Sequence, residues 1–183
     1  MPVHIAMLRG INVGGNNRIK MDALRGSLEK ASLKQVATYI QSGNVVFDAG
    51  KRNAFSLAEK IEQRILNDFG ISPLAITRSL DELESIVKAN PYLRDKKLDA
   101  EKCHVIFLAE PATAAAATEL RTSLTAPPDL SHLSKREIYL HLPNGVSQSS
   151  LWGNPVERRL LKRSTMRNWK TVTALLAMAQ ELA

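Results

Sequence analysis

Cysteine is almost missing from this chain of 183 residues, with Cys103 standing alone. A single thiol excludes an intrachain disulfide framework and any metal site built from several thiolates. Aromatic residues make up only 5% of the chain. Tyr39, Tyr92, Tyr139 and Phe107 are scattered and do not form the paired motifs of an RNA-binding sheet. No apolar run reaches the ~18 residues that a membrane-spanning helix needs. No Lys or Arg precedes the short apolar stretch at residues 3–8, as a secretory leader would require. These absences predict a soluble, cytoplasmic protein with no membrane partner. Acid is also absent from residue 158 through residue 180.

What is there has the balance of an ordinary folded chain, 44% hydrophobic and 23% charged. The net charge of +7 is unevenly placed: +4 over residues 1–70, −2 over 71–130 and +5 over 131–183. Arg158, Arg159, Lys162, Arg163, Arg167 and Lys170 form the densest run. Such a field attracts polyanions and weakens with salt, so nucleic acid enters as a candidate partner. The plain alternative is a solvated face that keeps the chain in solution.

The apolar pattern predicts a strand over residues 3–9 and a helix near 20–32 carrying Met21, Leu24, Leu28 and Ala31 on one side. Strands at 35–40 and 44–48 flank Gln41-Ser42-Gly43, a hairpin turn. Leu57, Ile61, Ile65 and Phe69 mark a second helix that Gly70 stops, and a strand follows over 71–78. Strand, helix, strand, strand, helix, strand is the ferredoxin-like order. Ser79-Leu80-Asp81-Glu82 has the form of a capping box, and Asn90-Pro91 ends the helix it opens.

Residues 103–108 read as a strand that resembles residues 3–8 position by position. An alanine-rich helix at about 112–124 follows, then strands at 130–133 and 137–142. Asn144-Gly145 marks a turn, and Asn154-Pro155 marks a helix start. The last helix is expected to begin near residues 167–169, with no obvious closing strand before it. The expected fold is therefore α+β: two ferredoxin-like (α/β plait) halves with antiparallel sheets, at 1–78 and 79–183. A single mixed sheet is the rival.

The stretch from Arg9 through Gly10, Asn12, Gly14, Gly15, Asn16 and Arg18 joins the first strand to the first helix. Glycines let backbone amides converge, the helix start adds positive potential, and Arg9, Arg18 and Lys20 supply cations. The spacing matches neither a Walker loop nor the dinucleotide fingerprint, so no cofactor is implied. The alternative is a connection whose glycines only turn the chain.

The blocks Leu8-Arg9-Gly10-Ile11-Asn12-Val13-Gly14-Gly15, Thr38-Tyr39-Ile40-Gln41-Ser42-Gly43-Asn44-Val45, Asn90-Pro91-Tyr92 and Thr165-Met166-Arg167-Asn168-Trp169 span nearly the whole chain. In them the chain resembles the bacterial domain-of-unknown-function 1697 family. The resemblance implies two ferredoxin-like halves and assigns no reaction, so no catalytic residues are carried over.

Other chemistry has less behind it. His4, His104 and His141 lie on strand segments without ligand spacing, so no metal is implied. Cys103 and His104 are neighbours on a strand and face opposite ways, which does not suit a nucleophile pair. Ser42 sits in a hairpin, not a nucleophile elbow. Arg167 and Asn168 are expected at the start of the last helix, where free amides favour anions; N-capping is the plainer role. The expected ligand residues are thus Arg9, Asn12, Gly14, Gly15, Asn16, Arg18, Asn44, Arg167 and Asn168, for a phosphate-bearing small molecule or nucleic acid. Two alternatives remain. One is a small hydrolase acting on a phosphorylated or acyl-phosphate substrate, with Arg18 or Arg9 as clamp and Asn44 positioning water. The other is a purely structural or interaction role.

Overall fold

A short run with no polar alternation is a strand buried on both faces. In the computed structural model β1 (Val3–Arg9) is such a strand, with every residue but Arg9 buried. The structure describes residues 2–50, 53–115, 117–118, 127–149, 151–152 and 161–183. In the first sheet β1 lies between β3 (Asn44–Asp48) and β4 (Leu74–Ser79), and β2 (Lys34–Tyr39) forms the edge beyond β3. All three pairings are antiparallel.

Helices α1 (Met21–Lys30) and α2 (Ala54–Phe69) arise from the two apolar stripes seen in the sequence. Leu24, Leu28, Leu57, Ile61 and Ile65 close over Ala6, Leu8, Val45 and Phe47 in one buried cluster. Gly70 ends α2 in the left-handed conformation, where it carries no Cβ penalty, and its amide donates to the Leu66 carbonyl. The order βαββαβ with strands arranged β2-β3-β1-β4 is the ferredoxin-like plan.

Helix α3 (Leu80–Ala89) opens on the capping box. The Ser79 amide donates to Glu82 Oε2 at 2.8 Å, and the Glu82 amide donates back to Ser79 Oγ at 3.2 Å.

The second sheet has the same plan. Its central strand β5 (Cys103–Leu108) lies between β7 (Glu137–His141) and β8 (Ser164–Asn168), with β6 (Leu130–Ser134) outside β7. Ile106, Leu108, Ile138, Leu140, Leu142 and Leu151 form its own apolar cluster. Residues 114–115 and 117–118 are helical, and most of the alanine-rich helix expected at 112–124 lies outside the described residues. The helix start expected at Asn154-Pro155 also lies outside them.

One expectation is corrected here. The second half does have a closing strand: β8 runs through Arg167 to Asn168, and the last helix, α4 (Trp169–Leu182), begins one residue later. Arg167 is therefore not a surface charge in a first helical turn. An edge strand needs apolar residues on only one face, so Ser164-Thr165-Met166-Arg167-Asn168 carries no hydrophobic run to announce it.

The duplication extends to side chains. His4 Nδ1 meets the Pro2 carbonyl at 3.0 Å, and His104 Nδ1 meets the Lys102 carbonyl at 3.1 Å. Arg78 is registered opposite Ile5, and Arg167 opposite Val105. Each guanidinium donates at 2.8 Å to the carbonyl just before it, that of Thr77 or of Met166. By compactness the chain divides into one unit of Met1–Ser85 with Ala174–Ala183, and a second of Ile86–Thr173.

Candidate functional site

Because the two sheets share one plan, each serves as a measure of what the plan requires. In the second half the connection from β5 to the next helix takes residues 109–113, and the β6–β7 turn takes Lys135 and Arg136 alone. In the first half the matching connection takes residues 10–20, and the β2–β3 turn takes residues 40–43. The closing bond is the same in both, from the Leu8 amide to the Gly43 carbonyl and from the Leu108 amide to the Arg136 carbonyl, each at 2.8 Å. The first half thus carries extra chain at two places that the fold does not demand.

Those two places are joined. Asn12 Nδ2 donates to the Gln41 carbonyl at 2.8 Å and to the Ile19 carbonyl at 3.0 Å. Asn12 Oδ1 accepts from the Ile19 amide at 2.8 Å. Ile11 and Ile19 are buried and anchor the loop at both ends. Within it the Asn12 amide donates to the Asn17 carbonyl, the Asn16 amide to the Val13 carbonyl, and Asn17 Nδ2 to the Gly10 carbonyl. Gly14 and Gly15 form the tip, with φ of +60° and +83°. Two successive positive φ values make a tight reversal that glycine adopts without strain.

This arrangement sorts the expected residues. Asn12 is fully committed to holding the loop, so it positions other groups. The Asn16 amide is committed too, which leaves its exposed side chain. Gly14 and Gly15 are exposed, and their amides have no hydrogen-bond partner among the described residues. A methyl group on Gly15 would stand 3.6 Å from the Arg18 guanidinium, so that cation lies beside the tip. Arg18 is exposed and has no ion pair among the described residues. Arg9 and Lys20 are exposed as well, and Lys20 precedes α1 without a side-chain cap on the helix amides. No acid occurs before Asp22.

Asn44 is fully buried, its Nδ2 donating to Ser42 Oγ at 2.9 Å and to the Tyr39 carbonyl at 3.2 Å. It shapes the hairpin from inside. The residue that sequence reasoning passes over is Ile40. It was expected to end a strand, but it stands in the turn at φ +49° and is 54% exposed. A β-branched residue in that region costs about 1–3 kcal/mol. The only sequence signal was that the turn between two well-marked strands is longer than a tight hairpin needs.

Arg167 and Asn168 have local roles. Arg167 Nη1 donates to Thr165 Oγ1 at 2.7 Å, and burial pulls its pKa down to about 10. Asn168 Oδ1 accepts from the Thr171 amide at 2.9 Å, capping α4. A cleft of about 450 Å³ beside it is lined by Ala100, Glu101, Asn168, Trp169 and Lys170, and the Glu101 carboxylate opposes an anion there. The basic run is also broken up. Arg163 pairs with Glu110 at 3.4 Å, and Arg158 and Arg159 lie outside the described residues. Among the described residues no group of three or more His, Cys, Asp or Glu could hold a metal ion, and no helix is long and apolar enough to cross a membrane.

Comparison with curated proteins finds no match. Among solved structures the chain is similar to the conserved bacterial protein SP0830 from Streptococcus pneumoniae. The two are 24% identical over 97% of this chain and 98% of that one, with a TM-score of 0.78, a likeness that shows a shared fold. Residues 1–139 match the family described as "Protein of unknown function (DUF1697)", and the chain belongs to that family.

Proposed function

We propose that this protein binds a phosphate-bearing small molecule at the loop of residues 10–20. The observation that carries the reading is the contrast within the loop. Asn12, Asn17 and the Asn16 backbone amide hold its shape, while Gly14, Gly15 and Arg18 are exposed and their N–H groups have no partner among the described residues. A loop held by its own hydrogen bonds and presenting two amides and a cation loses less entropy on binding an oxyanion than an unbraced one. Arg9 and Lys20, exposed at the two ends of the loop, add positive charge, and the exposed Asn16 side chain adds hydrogen-bonding groups. Asn12 and Asn44 serve from behind.

A small ligand fits better than a polymer. Arg163 and Arg167 are engaged with Glu110 and Thr165, so the C-terminal run offers fewer free cations than its sequence promised. Binding fits better than hydrolysis, because Asn44 is buried and its side-chain amide is engaged within the hairpin by Ser42 and the Tyr39 carbonyl. Titration calorimetry with pyrophosphate tests the reading. Saturable binding that falls at least tenfold in Arg18→Ala, with the fold intact by circular dichroism, is expected. Equal heats in the two proteins would count against it.

A further inference from the structure

We infer that the ligand is a nucleoside monophosphate, whose base rests on Val13 and Ile40 while its phosphate meets Gly14, Gly15 and Arg18; this rests on the phosphate reading above. Val13 and Ile40 are the two most exposed large hydrophobic residues among those described, at 64% and 54%. They sit on the two segments that the second half of the molecule lacks, and the Asn12–Gln41 hydrogen bond ties those segments together. Val13 directly follows Asn12, and Ile40 directly precedes Gln41.

Nothing in the fold requires an apolar side chain at either tip. Ile40 contributes little buried surface and holds a backbone conformation that a β-branched residue resists. A contact outside the chain explains both the residue and its exposure.

The chemistry of the patch selects the ligand. Two lone aliphatic side chains match the area of one planar ring system and give no trough for an acyl chain. A bare sugar phosphate would want hydroxyl partners where Val13 and Ile40 stand. The exposed Gln41 side chain offers both a donor and an acceptor, as the polar edge of a base needs. The stretch before Asp22, which carries Arg9, Arg18 and Lys20 and no acid, suits the phosphate end.

Calorimetry with inorganic phosphate, ribose 5-phosphate and adenosine monophosphate separates the parts, using the full chain and the variants Ile40→Gly and Val13→Ser. Glycine relaxes the backbone at φ +49°, so Ile40→Gly is expected to fold. Adenosine monophosphate should bind at least tenfold more tightly than ribose 5-phosphate, and either variant should shrink that ratio at least threefold while ribose 5-phosphate affinity stays constant. Equal affinity for the two esters overturns the base seat and leaves the phosphate reading standing. A ratio unchanged in both variants overturns Val13 and Ile40 as the seat. Tighter binding of a single-stranded oligonucleotide, falling steeply with salt, overturns the mononucleotide in favour of nucleic acid. Failure of all three phosphates to bind removes the underlying reading as well.

Discussion

Asn12 Nδ2 lies 2.8 Å from the Gln41 carbonyl, a bond that reaches across 29 positions of sequence and fixes the first loop to the first hairpin. With the two bonds to Ile19, it makes one side chain the clasp of the whole candidate site.

Removing the clasp should loosen the site before it unfolds the protein. Asn12→Ala gives up three hydrogen bonds in a partly exposed place, for about 2 kcal/mol. Urea denaturation should show that loss. Hydrogen exchange at the Ile19 amide should speed up far more than exchange in the central strands. Unchanged exchange at Ile19 would mean that the loop is held by other contacts.

The glycines should separate by role. Gly43 has φ +70°, and a Cβ there would stand 2.8 Å from Leu8 Cβ. Gly43→Ala should therefore destabilise by about 2–4 kcal/mol through strain and overpacking. Gly14 has φ +60° with nothing within 4 Å, so Gly14→Ala should cost about 1 kcal/mol. Denaturation midpoints of the two variants check this ranking, and a reversed order would contradict it.

Much of this was legible in the sequence because it is local. The capping box at Ser79 and Glu82, the Gly70 stop and the unbroken apolar run of β1 each depend on residues within one or two turns of one another. The β8 strand was not legible, because a short edge strand of mixed polar residues looks like the start of a helix beside Trp169. Arg167 misled for a related reason: a half-buried arginine that bonds its own strand has no sequence mark to distinguish it from a surface charge. The glycine loop could be picked out, but the role of Asn12 could not, since its partner Gln41 is distant in sequence. Ile40 was hidden by its β propensity, which places it in a strand that in fact ends at Tyr39.

High pH should weaken the second unit. Burial pushes the Tyr139 hydroxyl up to about 12, with Glu137 adding to the rise, and its proton is donated to the Ile86 carbonyl at 3.0 Å. Burial likewise pushes Tyr92 up to about 12. The folded pKa exceeds the unfolded value near 10, so the folded state holds these protons when the unfolded chain has lost them. The stability linked to them is complete below pH 10 and is lost as pH rises toward 12. Ultraviolet titration of tyrosinate should show two tyrosines ionising late, together with unfolding. Two ionisations near pH 10 in a still-folded protein would contradict the buried hydrogen bond.

The capping of α4 gives an independent check on Asn168. If it serves the helix amide of Thr171, Asn168→Ala should lose about 1 kcal/mol, and Asn168→Asp should retain most of it. Pyrophosphate affinity should be unchanged in both. A loss of affinity at constant stability would return Asn168 to the ligand-binding residues.

In the proposed site the Gly14 and Gly15 amides, beside Arg18, receive a phosphate. Amide chemical shifts in a ¹⁵N-labelled sample titrated with inorganic phosphate test it most directly. Saturable shifts at Gly14 and Gly15 that vanish in Arg18→Ala, with the β1 and β3 resonances unmoved, are expected. Shifts that are linear and spread over the surface, or absent at the two glycines, would contradict it.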